Sequence, residues 1–241
     1  MAGAATLASL GALRSGAGLV SCLHLSAERP PGLPPEVMTS PALEPTATGI
    51  GSLVVGPGLG TSDRARGVLM ELLEEERPRV FDADALNLMA HMTPRPLVSG
   101  AVLTPHPLEA ARLLGCDARE VQKDRPGAIR QLATTWNAIV LLKGAGTLLA
   151  GPSGPGYLLD TPEPTLAIPG SGDVLAGLTG GLQAQGLPAL HAAVLAAAVH
   201  LDVGRRFGRD SDQRGALASE LAAAFPSAME GLRRLWVRAP V

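Results

Sequence analysis

Short apolar runs alternate with amphipathic stretches along most of the chain. Residues 4–16 carry apolar side chains at helical spacing, and Gly16 and Gly18 predict where that helix stops. Residues 19–25 read as a strand, and the proline-rich stretch 27–48 as an extended, irregular crossing. A β run at 52–55 leads into Gly56-Pro57-Gly58-Leu59-Gly60, after which Ser62 or Asp63 can cap a helix running to about 76. The pattern then predicts a strand at 79–82, a short helix at 85–90, a strand at 101–103 and a helix at 108–114 that stops at Gly115. A helix at 126–136 precedes a fully apolar strand at 138–142, and 147–150 with 157–160 form an antiparallel pair around a Gly-Pro-Ser-Gly turn. From Gly172 onward the spacing is helical, over 172–185, 188–207 and 214–236.

Strands and helices alternating at this spacing predict one α/β domain over residues 1–241, with a mostly parallel sheet covered on both faces. Ligands of such sheets sit beyond the carboxyl ends of the strands. The glycine turn at 56–60, Asp82 and Asp84, the segment Thr104-Pro105-His106 and Lys143 all directly follow predicted strands, so they converge on one edge.

Composition sharpens this picture. Hydrophobic residues make up 46% of the chain but aromatics only 2%, so the core is built from Ala, Leu and Val. A net charge of −2 argues against a nucleic-acid binder, which needs a concentrated basic face. Cys22 and Cys116 have no metal or redox spacing, which points to a reduced, cytoplasmic compartment. Residues 1–20 lack a basic leader and carry Arg14 within the apolar stretch, unlike a signal peptide, and no run has the length of a membrane span.

The sharpest chemical signal is Pro169-Gly170-Ser171-Gly172-Asp173, which opens a long apolar helix. Backbone N–H groups at such a helix start favour an anion. A carboxylate beside that anion can take the proton of a hydroxyl attacking phosphorus; a favourable first-turn acid is the plainer role for Asp173. Lys143-Gly144-Ala145-Gly146-Thr147 puts a lysine and a flexible turn at a strand end, suited to a nucleotide but equally to a plain hairpin. Asp82 and Asp84 can hold magnesium through water or cap the short helix. His106, between two prolines, is either a substrate contact or a surface loop residue, and Glu109 is explained by the helix dipole alone. The other histidines have no metal-ligand spacing, and no protein-built metal site is expected.

Together the residues resemble a family. Gly3-Ala4-Ala5, residues 12–20 and Pro35-Glu36-Val37-Met38 resemble the opening of ADP/ATP-dependent NAD(P)H-hydrate dehydratases. Gly56 to Gly60, Asp82 to Asn87, Leu103 to Pro107, Leu142 to Thr147 and Gly170 to Leu175 follow in the family's order, over about residues 3–205. The resemblance implies a three-layer α/β/α ribokinase-like fold and ADP-dependent dehydration of the S-epimer of hydrated NADH or NADPH, with release of AMP and phosphate. It makes Asp173 the base. By the same resemblance Gly170, Ser171 and Gly172 would form the anion hole, Lys143, Gly144, Ala145, Gly146 and Thr147, with Gly172, would hold the nucleotide, and Ala4, Gly58, His106 and Asp173 would touch the hydrated dinucleotide. It further implies magnesium, ADP or ATP as co-substrate, a homo-oligomer, and an epimerase partner encoded elsewhere. Alternatives are a vitamin-precursor kinase of the same superfamily and a degenerate nucleotide-binding homologue.

The chain departs from the family pattern twice. A segment usual before Gly3 is absent, which predicts a sheet short of that strand. The family's Asn-Pro-Gly-Met-Ala-Thr-Gly-Gly run is here Glu163 to Gly170, and Pro169 removes one N–H donor, which predicts a weaker anion cradle.

Overall fold

Strand alternation divides the core in two. In the computed structural model, which describes residues 2–26, 28–40, 49, 51–159, 162–210 and 215–238, six short strands form one sheet in chain order. They are β3 (Leu53–Val55), β4 (Arg79–Phe81), β5 (Val102–Leu103), β6 (Ile139–Leu142), β7 (Thr147–Ala150) and β8 (Tyr157–Leu159). The pairings from β3 to β6 are parallel, and β7 and β8 add antiparallel. Successive side chains of a strand point to opposite faces. Phe81, Leu103, Val140 and Leu142 therefore bury into one cluster, and Val80, Val102, Leu141 and Leu149 into the other.

The first cluster is closed by α2 (Asp63–Leu73), α3 (Asp84–Met89), α4 (Pro107–Leu114), α5 (Ala118–Lys123) and α6 (Arg125–Trp136). The second is closed by α7 (Ser171–Ala184), α8 (Ala189–Asp210) and α9 (Ala218–Arg238). Helix α1 (Ala2–Arg14) lies on α7, contributing Leu7 and Leu10 to that cluster. The result is the three-layer arrangement expected, with α7 entering through an alanine- and glycine-rich surface that lets backbones meet.

Four elements differ from the sequence reading. Residues 19–25 give only β1 (Ser21–Leu23), which stays out of the main sheet and pairs in parallel with β2 (Met38–Ser40), a strand within the proline-rich crossing. This pair has its own small core of Cys22, Leu33 and Val37, against Ala5 and Leu13 of α1. Helix α2 ends at Leu73, since three consecutive glutamates at 74–76 oppose the negative end of a helix dipole. Helix α5 follows Asp117 with Val121 as its one buried anchor, too few apolar positions to show a period. Residues 27, 41–48, 160 and 214, within the expected crossing, strand and final helix, lie outside the described residues. None of the helices among the described residues is long and apolar enough to cross a membrane.

Candidate active site

At the carboxyl end of β6, Lys143 turns inward beneath the sheet edge. Its Nζ donates to Asp82 Oδ1 at 2.7 Å, and Thr104 Oγ1 donates to the same oxygen at 2.8 Å. Glu109 Oε2 lies 3.8 Å from the same ammonium. Asp82 and Thr104 follow β4 and β5, so the carboxyl ends of three adjacent strands meet at one ion pair whose acid is buried. Between Asp82 and α3, Ala83 is held at φ 49° and ψ −118°, a sparsely populated positive-φ conformation that costs a non-glycine residue about 1–3 kcal/mol. Neither acid caps α3: Asp82 serves Lys143, and Asp84 Oδ2 accepts the Gly60 N–H at 2.8 Å, tying the glycine turn to the first residue of α3.

His106 is the N-cap of α4. Its Nδ1 accepts the Leu108 and Glu109 N–H groups, while Glu109 Oε2 accepts the His106 N–H, completing a capping box. With Nδ1 an acceptor, the ring proton sits on Nε2, which faces Glu109 Oε1 at 3.2 Å. Burial, reinforced by Lys143, lowers the His106 pKa, so the ring is neutral near pH 7. Burial also raises Glu109, against the pull of Lys143. For Lys143 itself burial opposes the charge, but the Asp82 and Glu109 carboxylates outweigh it and raise its pKa.

Across the cleft, Gly170 adopts φ 84° as the N-cap of α7, and Ser171, Gly172 and Asp173 form the first turn. A Cβ on Gly172 would lie 3.0 Å from Lys143 Nζ, so the ammonium abuts the positive end of the helix. Ser171 spends its N–H on Ile168 O at 3.3 Å, whereas Gly172 and Asp173 occupy first-turn positions whose N–H groups lack intrahelical acceptors. Asp173 is pushed up to about 7, first by burial and then by Asp82, with Lys143 pulling the other way. A carboxyl that is half ionised near neutrality can accept a proton and release it. His200 of α8, driven down to about 4 by burial and Lys143, is neutral and lies 2.9 Å from Ser171 Oγ through Nε2.

These groups line a cleft of about 510 Å³. Lys143, Gly144, Ala145, Thr147, Gly170, Ser171, Gly172, Asp173 and His106 all belong to its wall, and Gly146 completes the turn between them. Leu159, Pro162, Pro164, Leu166 and Ile168 make the far side apolar, which suits a flat ring system. Ala4 and Gly58 are not part of this wall. Asp82, Thr104 and Glu109 matter more than their sequence context suggested, because Lys143 is 61 residues from Asp82 and 34 from Glu109, and Thr104 is 22 from Asp82. His200 carried no signal, being one more residue of an apolar helix. Among the described residues, no group of three His, Cys, Asp or Glu side chains could hold a metal.

A family model for NAD(P)H-hydrate dehydratase matches residues 1–227. The chain belongs to the NAD(P)H-hydrate dehydratase family. A bifunctional NAD(P)H-hydrate repair enzyme of Coxiella burnetii is 39% identical over 228 residues, covering 92% of this chain and 46% of that protein. The chain thus spans about half the length of the curated relatives it matches. Among solved structures, an ADP/ATP-dependent NAD(P)H-hydrate dehydratase from Bacillus subtilis, co-crystallised with ATP and Mg2+, superposes with a TM-score of 0.83 at 28% identity, covering 96% of this chain and 85% of that one. A ribokinase-like superfamily protein from Enterococcus faecalis gives 0.83 at 22% identity, covering 95% and 82%. The fold is therefore ribokinase-like, as the family motifs implied.

Proposed function

We propose that this chain dehydrates the S-epimer of hydrated NADH and NADPH at the expense of ADP. Family membership supports that reaction, and one observation carries its assignment to residues. Asp173, with a carboxyl near 7, shares the first turn of α7 with unspent N–H groups and abuts the Lys143 ammonium, in one cleft with the 143–147 loop.

In this reading the hydroxyl of the hydrated ring gives its proton to Asp173 and its oxygen attacks the terminal phosphorus of ADP. AMP leaves with the electrons of the broken P–O bond. The ring then expels phosphate, a neighbouring ring carbon gives up its proton, and the reduced nicotinamide is restored. The N–H groups of Gly172 and Asp173, with Lys143, stabilise charge on the transferring phosphoryl group. Ser171 contributes through its hydroxyl, which faces His200, while Pro169 and the Ser171–Ile168 bond reduce the N–H donors of the cradle. Ala145, Thr147 and the apolar far wall receive the nucleotide, and His106 presents a neutral ring to the dinucleotide.

Magnesium fits as a companion of the phosphates. It keeps most of its water and needs only one or two carboxylates besides the phosphates. Ala4 and Gly58 reach a bound dinucleotide from outside the cleft wall. A homo-oligomer, cytoplasmic residence and an epimerase that supplies the S-form complete the proposal.

The test is absorbance in the reduced-nicotinamide band with hydrated NADH, ADP and magnesium, alongside released phosphate. Equal appearance of NADH and phosphate is expected. A stable phosphorylated product without NADH would favour a kinase instead.

A further inference from the structure

The 143–147 loop is held from behind by a residue that none of the family motifs includes. Arg125, the first residue of α6, packs half-buried against the outside of the turn. Its Nη2 lies 2.9 Å from Gly146 O, 3.2 Å from Leu142 O and 3.3 Å from Lys143 O, and its Nη1 donates to Gln122 Oε1 at 3.0 Å. Gly144 takes φ 131°, and a Cβ there would meet Arg125 Nη1 at 3.0 Å. One guanidinium thus gathers three carbonyls of a single turn.

We propose that Arg125 is a positioning residue for the nucleotide, setting the orientation of the peptide groups that meet its phosphates. A trans peptide points its C=O and N–H in opposite directions. Leu142 shows the consequence: its carbonyl faces Arg125, and the N–H of the same peptide unit, on Lys143, reaches the opposite side to bond Pro105 O at 2.9 Å. The next unit has the Lys143 carbonyl on Arg125, which turns the Gly144 N–H away from the guanidinium, to the side where Gly144 and Ala145 line the cleft. The clamp withdraws carbonyl oxygens, which would repel a diphosphate, and leaves N–H groups to receive it. Its charge adds a second cation behind the loop, opposite Lys143.

The three carbonyls meet Nη2 while Nη1 holds Gln122, a two-armed arrangement that a single ammonium cannot reproduce. The role rests on the nucleotide reading of the loop, so its test measures ADP binding apart from turnover. Calorimetric titration of wild type, Arg125→Lys and Arg125→Gln with ADP and magnesium is paired with steady-state kinetics and melting curves. Both variants are expected to raise the ADP Kd and KM about tenfold or more, Gln at least as much as Lys. The kcat and the KM for hydrated NADH stay within about twofold, and the Tm stays within a few degrees because the carbonyls can be rehydrated. Unchanged ADP affinity in Arg125→Gln would overturn the inference, as would a fall in kcat and Tm with no selective effect on ADP. A wild type that binds ADP tightly but produces no NADH would defeat the dehydratase reading while leaving the clamp to be judged on Kd. One that binds neither ADP nor ATP would overturn both.

Discussion

The two walls of the cleft are held in place by opposite means. The helix that carries Asp173 is seated by backbone packing: a Cβ on Gly11 of α1 would meet Val174 O at 2.2 Å, and one on Gly177 would meet Ala8 O at 1.9 Å. Gly170 is closed in by Leu7 of the same helix. The nucleotide loop instead hangs on one guanidinium and three carbonyls. Backbone cannot yield, so the Asp173 wall is fixed when the chain folds. A polar clamp at a half-exposed turn contributes little to stability and much to the direction of a few N–H groups. The base is thus built into the fold, and the nucleotide grip can be tuned without disturbing it.

The largest effect that probes this contrast removes the base. Asp173→Asn should cut turnover by about 10²–10⁴-fold while leaving the ADP Kd nearly unchanged; retained turnover would remove Asp173 from its role. The same variant should be more stable than wild type at pH 8. The Asp173 carboxyl is raised from 3.8 to about 7, so the stability it contributes is fully present below pH 4 and is lost as the pH rises through 7. Melting curves should show the variant ahead at pH 8 and the gap narrowing steadily as the pH falls from 7 toward 4. A smaller effect follows from the seat of α7. Gly177→Ala forces a methyl against backbone and should cost about 1–3 kcal/mol, lowering the Tm by about 2–10 °C. It should take kcat with it, the reverse of the pattern expected for Arg125→Lys. A Gly177→Ala protein with unchanged Tm would mean the helices are free to part, and the contrast between the two walls would fail.

Most of the sheet was legible because each strand is a short apolar run ended by a turn residue, and the site motifs sit directly after those runs. Asp82, Thr104, His106 and Lys143 could be placed on one edge from that order alone, whereas Asp173 opens a helix and follows no strand. What the order does not encode is which groups pair there. That Asp82 takes Lys143 instead of capping α3 depends on the separation of β4 and β6 in the sheet, with β5 and Thr104 between them. His106 showed neither of its two proposed faces outright: it is the cap of α4 and a wall of the cleft at once. Arg125 was invisible for a different reason. Its partners on the loop are backbone carbonyls, which leave no trace in side-chain identity. The β1–β2 pair was half seen, since a three-residue strand among prolines has too few positions to display alternation.

The most direct test of the central claim, that burial and Asp82 poise Asp173 as a base near neutrality, is the pH dependence of turnover with saturating ADP and hydrated NADH between pH 5 and 9. The account predicts a rate that climbs with a single ionisation near 7, and a residual rate in Asp173→Asn that lacks this limb. A wild-type rate that is flat from 5 upward, as for a carboxylate at its ordinary value near 4, would contradict it.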